Sequence, residues 1–294
     1  MKTGFIGLGA MGRGMAANLH AAGQLHSVWN RTPERSETFT QQHHVNIVAS
    51  PAELAQQCNL IITCVSADDD LREVINAMIP GLREGTIIVD TSTVAAVTVQ
   101  ELAKTLAGQG VSLLDAPISG GVEGARKGSL VMMVGGDKQK LELAKPVLET
   151  MTSKISWMGK SGHGQATKAV NQIMAAGINQ AVTEALAFAE AKQLPLDDVI
   201  DVISQGAAGN WFLQHRGNSM VNGEYLSGFK IDLHKKDLDL CRDMAETVSE
   251  HDMRLPIVEM TRIHYERLQE SGYGEEDISA LYRLKRELFL QGDR

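Results

Sequence analysis

The sequence predicts an α/β protein in two parts: a doubly wound parallel sheet with helices on both faces, then an all-α domain. Three observations predict it. Through residues 1–160, short β-rich runs alternate with helical stretches, the pattern left by parallel strands joined through crossover helices. The glycine-rich stretch at residues 159–164 marks a change of character. From Gln165 onward no convincing strand pattern remains and the chain reads as helix.

In chain order, the first β-rich run covers residues 3–6 and leads through a glycine-rich turn into a helical pattern over 11–22. Runs at 26–29 and 45–48 follow, then a short helix over 51–56 that opens on Pro51, a residue whose fixed φ suits a first helical turn. The run at 60–64 precedes a helix over 69–78, and the run at 86–89 precedes a helix over 97–107. Runs at 112–114 and 130–134, a helix over 138–151 and a run at 154–157 complete the first part. One long, Ala-rich helix then spans 165–192, with at least four more helical segments after it and Pro195 and Pro256 at helix starts or turns. The chain therefore divides into 1–162 and 163–294, without internal repeats, and a cleft between two such domains is a common ligand site.

Composition narrows the functional classes. With 294 residues and 43% hydrophobic content the chain can build real cores. A formal net charge of −8 without any Lys/Arg-rich block argues against nucleic acid as the main partner; a small anion needs only a local positive site. Cys58, Cys64 and Cys241 are odd in number and lack metal spacing, which reads as the reduced, buried thiols of a cytoplasmic protein. His43 and His44 show no ligand spacing either, so no metal is expected. No apolar run approaches the ~20 residues of a membrane span. The N-terminus is punctuated by glycines and contains Arg13, and so reads as structure and not as a signal peptide.

The turn at Gly7-Leu8-Gly9-Ala10-Met11-Gly12 follows an apolar strand and opens a helix. In that context G-x-G-x-x-G is a dinucleotide fingerprint, and the first domain is of Rossmann type. Gly7 permits the tight turn, Gly9 lets a pyrophosphate approach the backbone, and Gly12 lets helix and strand pack closely. The anion meets free N–H groups at the positive helix end. An NAD-specific site places an acid at the end of the second strand. Here that position is Asn30, followed by Arg31 and Thr32, with Arg35 nearby. A guanidinium and uncharged donors favour the 2′-phosphate of NADP(H) over NAD(H), although a rotated loop would bring Glu34 near the ribose. Val65 and Ser66 after the fourth strand and Thr93 after the fifth are further cofactor-side candidates, and Thr93 could equally cap the next helix.

The segment leaving the sixth strand contains Ser119, Gly120 and Gly121. A hydroxyl beside consecutive N–H groups makes a small nest for a carboxylate, although tight-turn chemistry alone would also select these glycines. On the long helix, Lys168, Asn171, Gln172, Ala175 and Asn179 share one face. They form a polar stripe that is either solvated or functional.

These motifs resemble the β-hydroxyacid dehydrogenase family, which includes 3-hydroxyisobutyrate dehydrogenases, tartronate semialdehyde reductases and glyoxylate/succinic semialdehyde reductases. The resemblance covers nearly the whole chain. It rests on G-L-G-A-M-G at residues 7–12, D-T-S-T at 90–93, D-A-P-I-S-G-G at 115–121, G-x-x-x-K-x-x-N-Q at 164–172 and L-H-K-K-D-L at 233–238. It implies hydride transfer between NADP(H) and a small carboxylate-bearing aldehyde or its hydroxy acid, with Lys168 as general acid/base. Ser119, Gly120 and Gly121 would hold the substrate carboxylate, and Asn171 and Gln172 would orient substrate and lysine. Lys236 would approach the cofactor, Asp237 would support the cleft, and Trp211 would wall the pocket unless it is a core aromatic. The C-terminal domain would bind substrate; apart from the resemblance, a helical C-terminal domain often supplies an interface, so a homodimer or homotetramer is expected. Gln172 stands where many members carry a second Asn, a variation familiar in tartronate semialdehyde reductases. Ile118 replaces the commoner Val. Asn30-Arg31-Thr32 looks like the glyoxylate/succinic semialdehyde reductase branch. An NAD-dependent 3-hydroxyisobutyrate or other hydroxyacid dehydrogenase, an imine reductase and a non-catalytic dinucleotide-binding protein are the alternatives. A 6-phosphogluconate-dehydrogenase-like reaction would need a larger C-terminal domain with basic anion ligands.

Overall fold

The computed structural model describes residues 1–226, 228–246 and 254–290. The chain forms two compact units, Met1–Lys168 and Ala169–Arg294, so they divide inside the long helix, six residues beyond the division suggested by the sequence.

The first unit runs β1 (Thr3–Ile6), α1 (Ala10–Ala21), β2 (Leu25–Trp29), α2 (Pro33–His43), β3 (Asn46–Ile47), α3 (Pro51–Gln57), β4 (Leu60–Thr63), α4 (Asp68–Met78), β5 (Ile87–Asp90) and α5 (Ala96–Ala107). It continues through β6 (Ser112–Asp115), β7 (Ile118–Ser119), α6 (Gly121–Lys127), β8 (Leu130–Gly135), α7 (Lys138–Leu148), β9 (Thr152–Gly159) and the first turns of α8 (His163–Ala191). The sheet order is β3-β2-β1-β4-β5-β6-β8-β7, with β9 beside β8. Strands β1 to β6 are parallel, so their side chains alternate between two covered faces. Phe5, Leu60, Ile62, Ile87, Val89 and Leu114 meet α1, α2 and α7 on one face. Ile6, Ile61, Ile88 and Leu113 meet α3, α4 and α5 on the other. These two cores are what make the sheet doubly wound.

The far edge is not parallel, in contrast to the sequence expectation. Strand β8 runs antiparallel to β6 and β7, and only β9 runs with it. The reversal is a long-range pairing of β8 with β6 and β7, which Pro117 interrupts and does not direct. Asp115 pairs with Gly135, Ile118 with Met132 and Ser119 with Val131, and the Met133 N–H donates to the Pro117 carbonyl between them. Strands β6 and β7 are thus one path along β8 in a single register, interrupted where proline has no N–H to give. This path carries Ser119 beyond the parallel part of the sheet.

The second unit holds the rest of α8, then α9 (Leu196–Ser204), α10 (Trp211–Val221), α11 (Ile231–Glu246), α12 (Pro256–Glu270) and α13 (Leu281–Leu290). They enclose a core that includes Leu186, Leu213, Met220, Leu238, Val258 and Tyr265. Pro195 is the N-cap of α9, and Pro256 occupies the first turn of α12. The only β pairing among the described residues of this unit is one bridge between Lys230 and Asp277. No disulfide links Cys58, Cys64 and Cys241. Among the described residues no helix is long and apolar enough to cross a membrane.

Candidate active site

The first cluster forms where β1 meets α1. Gly7 has φ +100°, and a Cβ on Gly12 would stand 1.9 Å from the Gly7 carbonyl oxygen, so the turn closes only without side chains there. Gly9 is the reverse case: a methyl placed on it would find no neighbour nearer than Arg35 Nη1, at 4.0 Å. The backbone at Gly9 is therefore open, overhung by a guanidinium and placed at the positive end of the 12-residue α1. That arrangement fits a dinucleotide pyrophosphate. Leu8 is buried, Met11 half-buried and Ala10 exposed around it.

Asn30 braces this turn from the end of β2. Its carboxamide oxygen accepts from the Leu8 N–H at 2.7 Å, and its NH₂ donates to the Thr32 carbonyl at 2.9 Å. Arg31 is largely exposed and donates to Asp70 at 2.5 Å, with Glu73 at 3.6 Å. The hydrogen bond and charge of Asp70 hold its guanidinium further above the usual range. Thr32 is the N-cap of α2 and its side chain makes no capping bond.

The ends of β4 and β5 are tied together through Asp90. Its Oδ1 accepts from Thr63 Oγ1 at 2.7 Å and Ser92 Oγ at 2.6 Å, and Ser92 Oγ accepts from the Val65 N–H at 2.9 Å. Burial pushes the Asp90 carboxyl up to about 6, against the pull of the Ser92 and Thr63 bonds. Ser66 is exposed and Thr93 half-buried. The N-cap of α5 is Ala95, so capping does not account for Thr93. Burial lifts the neighbouring Cys64 thiol to about 11, which leaves it protonated and unsuited to act as a nucleophile.

The third cluster joins the β7 turn to α8. Gly120 and Gly121 have φ +130° and +63°, left-handed conformations that favour glycine, and they follow the half-buried Ser119. Lys168 is buried, and its Nζ donates to the Ile118 carbonyl at 2.9 Å. The fold thus brings Lys168 to the residue immediately before Ser119, across 50 positions of sequence. Asp115 seats the start of the helix: its carboxylate accepts from the N–H groups of Gly162 at 2.8 Å and Gln165 at 3.1 Å. Burial pushes this carboxyl up, and the N–H bonds offset part of the rise.

In the second unit, Asn171 donates to Gln172 Oε1 at 2.8 Å and Gln172 donates to Asp237 Oδ2 at 2.6 Å. Lys236 Nζ lies 3.1 Å from Asp237 Oδ1. Buried His234 joins the network through the Gln172 carbonyl at 3.2 Å and the Tyr265 hydroxyl at 3.0 Å. Asn179 belongs elsewhere: it donates to Tyr265 and to the Ile278 carbonyl within the core, so the polar stripe on α8 changes purpose along its length. Trp211 opens α10, is 60% exposed and stacks on His215 with ring centroids 4.2 Å apart; it is not a core aromatic. Among the described residues no group of three or more His, Cys, Asp or Glu is placed to hold a metal ion.

Sequence reasoning gave no role to Asp70 or Gln165, and it held Asp90 and His234 only as members of the D-T-S-T and L-H-K-K-D-L motifs. Asp90 had a signal, an acid ending an apolar strand. Asp70 and His234 are linked to their partners only by the fold.

Comparison with known proteins covers both units of the chain. Residues 2–159 match the family described as the NAD binding domain of 6-phosphogluconate dehydrogenase. Residues 162–285 match the family described as the NAD-binding of NADP-dependent 3-hydroxyisobutyrate dehydrogenase. An uncharacterized oxidoreductase of Shewanella frigidimarina is 37% identical over 95% of this chain and 96% of its own. An L-threonate dehydrogenase of Escherichia coli is 30% identical over 99% and 96%. The structure of Mycobacterium tuberculosis 3-hydroxyisobutyrate dehydrogenase with L-serine superposes with a TM-score of 0.87 at 29% identity, covering 97% of this chain and 99% of that one. With both units matched in chain order, the chain belongs to the β-hydroxyacid dehydrogenase family and is a pyridine-nucleotide-dependent oxidoreductase.

Proposed function

We propose that the protein interconverts a small carboxylate-bearing aldehyde, such as glyoxylate or a semialdehyde, and its hydroxy acid, with NADP(H) preferred over NAD(H). The observation that carries this reading is the Lys168 ammonium 2.9 Å from the Ile118 carbonyl, at the edge of the turn formed by Ser119, Gly120 and Gly121. A proton donor and a carboxylate nest side by side suit a substrate that carries a carbonyl and a carboxylate a few bonds apart. The same lysine argues against an imine reductase or a non-catalytic binding module.

In the reducing direction the Ser119 hydroxyl and the N–H groups of Gly120 and Gly121 hold the carboxylate, and Lys168 Nζ gives a proton to the carbonyl oxygen. The bound nicotinamide supplies the hydride. Gly7, Gly9 and Gly12 with Leu8, Ala10 and Met11 form the pyrophosphate turn, braced by Asn30. Arg31 and Thr32 would take the 2′-phosphate of the adenosine ribose, and Val65, Ser66 and Thr93 would line the bound cofactor. Residues 1–162 serve as the dinucleotide-binding domain and 163–294 as the substrate and dimerisation domain. In the latter, Asn171 and Gln172 act as orienting amides, Trp211 as an apolar wall and Lys236 as a cofactor-side cation. Exposed Val170, Met174, Ile257 and Ile263 support a homodimer or homotetramer. Three cysteines without a disulfide support a cytoplasmic setting.

One observation favours an NAD-dependent second reading: Arg31 is held by Asp70 and Glu73, and a 2′-phosphate must displace those carboxylates. Initial rates with NADPH and NADH against glyoxylate and short semialdehydes, and with L-threonate and 3-hydroxyisobutyrate in reverse, decide between them. NADPH preference with one favoured acid-aldehyde supports the first reading. NADH preference supports the second, and absence of turnover refutes both.

A further inference from the structure

We infer that Gln165 is a positioning residue that clamps the Thr93 segment to the turn of α8 carrying Lys168, so that cofactor-side loop and proton donor are held as one piece. The inference rests on the assignment of Lys168 as general acid/base. Gln165 is 1% exposed, and both ends of its carboxamide are engaged by a single three-residue stretch. Its Nε2 donates to the Ser92 carbonyl at 2.8 Å, and its Oε1 accepts from the Val94 N–H at 3.3 Å. These two bonds bracket Thr93.

The backbone of Gln165 is fixed independently, by the bond from its N–H to Asp115 and the neighbouring bond from Gly162. The helix start also lies flush against the sheet: a Cβ on Gly164 would stand 2.5 Å from the carbonyl oxygens of both Asp115 and Met133. The side chain therefore does not hold the helix in place; it holds residues 92–94 to a helix already seated. Lys168 follows three residues later, on the same face, and ends at Ile118. The far side of the clamp is braced in turn, since Ser92 binds Asp90 and Val65. An apolar side chain of equal length would fill the space and leave the Ser92 carbonyl and Val94 N–H without Gln165, freeing the loop while the fold persists.

The test compares wild type, Gln165→Met, Gln165→Glu and Lys168→Ala by three readouts. Hydrogen exchange of the apo protein reports on the Val94 N–H. Fluorescence titration gives the NADPH Kd. Single-turnover oxidation of NADPH preloaded on the enzyme separates two kinds of damage: misfolded protein lowers the amplitude, whereas a misplaced donor lowers the rate constant. For Gln165→Met we expect faster exchange at Val94, a Kd within about threefold of wild type because the Gly9 turn is untouched, and a rate constant lower by about 30- to 100-fold, the scale of an ångström-sized misplacement. Gln165→Glu keeps the acceptor for Val94 but sets a carboxylate oxygen against the Ser92 carbonyl, so it should lose at least as much; it decides the matter if Gln165→Met does not fold. Wild-type rate constants with unchanged exchange in the Gln165 variants, beside an inactive Lys168→Ala, overturn this inference alone. Turnover by Lys168→Ala at the wild-type rate overturns the assignment of Lys168 and this inference with it.

Discussion

Replacing each of two glycines in one turn by alanine should give opposite phenotypes. At Gly12 a Cβ would sit 1.9 Å from the Gly7 oxygen, 3.0 Å from the Gly7 carbonyl carbon and 3.1 Å from Phe5 Cε1. The turn must open by more than an ångström, an overpacking cost of about 1–3 kcal/mol or more, and Tm should fall by roughly 5 °C. At Gly9 the backbone is extended, with φ −71° and ψ −165°, which any residue adopts, and the nearest atom is 4.0 Å away. Only an N-cap preference is lost, about 0.5–1 kcal/mol, or roughly 1–3 °C. Yet a methyl there occupies the space in which a pyrophosphate would reach the helix N–H groups. Loss of charge-assisted hydrogen bonds of ~1.5–3 kcal/mol raises the NADPH Kd about 10- to 100-fold. Thermal melts and fluorescence titrations of both variants measure these effects separately. A Gly9→Ala protein that binds NADPH as wild type does would show that the phosphates do not cross Gly9. A Gly12→Ala protein that melts normally would show that close packing is not what Gly12 supplies.

Three further outcomes are expected. Burial lifts Asp90 from the ordinary 3.8 to about 6, so the folded chain binds this proton more tightly than the unfolded one. Its stability contribution is complete below pH 4, declines between pH 4 and 6, and by neutral pH about 3 kcal/mol has been lost. Asp90→Asn should flatten that window in a plot of Tm against pH, and an unchanged slope would contradict it. Arg31→Ala should raise KM for NADPH by about 10- to 100-fold and leave NADH unaffected; equal effects on both would remove the 2′-phosphate role. Trp211→Ala, losing an exposed ring, should leave Tm within about 1–2 °C while raising the substrate KM about tenfold; an unchanged KM would exclude Trp211 from the pocket.

Much of the fold was legible because its signals are local. The apolar strands β1, β4, β5 and β6 and the helices beside them announce themselves by run and period. What stayed hidden was either too short or too polar. Strand β7 is two residues directly after a proline, whereas the run at 45–48 is legible and only shortens to the two exposed residues of β3. Helix α2 buries only Ser36 and Phe39, so it carries almost no apolar period. The direction of β8 is set by pairing with β6 and β7, a long-range fact. The candidate site divides in the same way. Glycine spacing at residues 7–12 and the lysine on α8 can be read from sequence, because backbone geometry and helix period demand them. Asn30 turning inward to the Leu8 N–H, and Arg31 engaged by Asp70, depend on partners 22 and 39 residues away. Nothing in the local sequence could reveal them.

The most direct test of the central claim is Lys168→Ala, measured for kcat on the favoured acid-aldehyde and for NADPH Kd in the same preparation. The expected result is a kcat lower by about 10²- to 10⁴-fold, the usual contribution of a general acid, with Kd within about threefold because the Gly7 to Gly12 turn is untouched. A kcat near that of wild type would remove Lys168 from proton transfer and contradict the account.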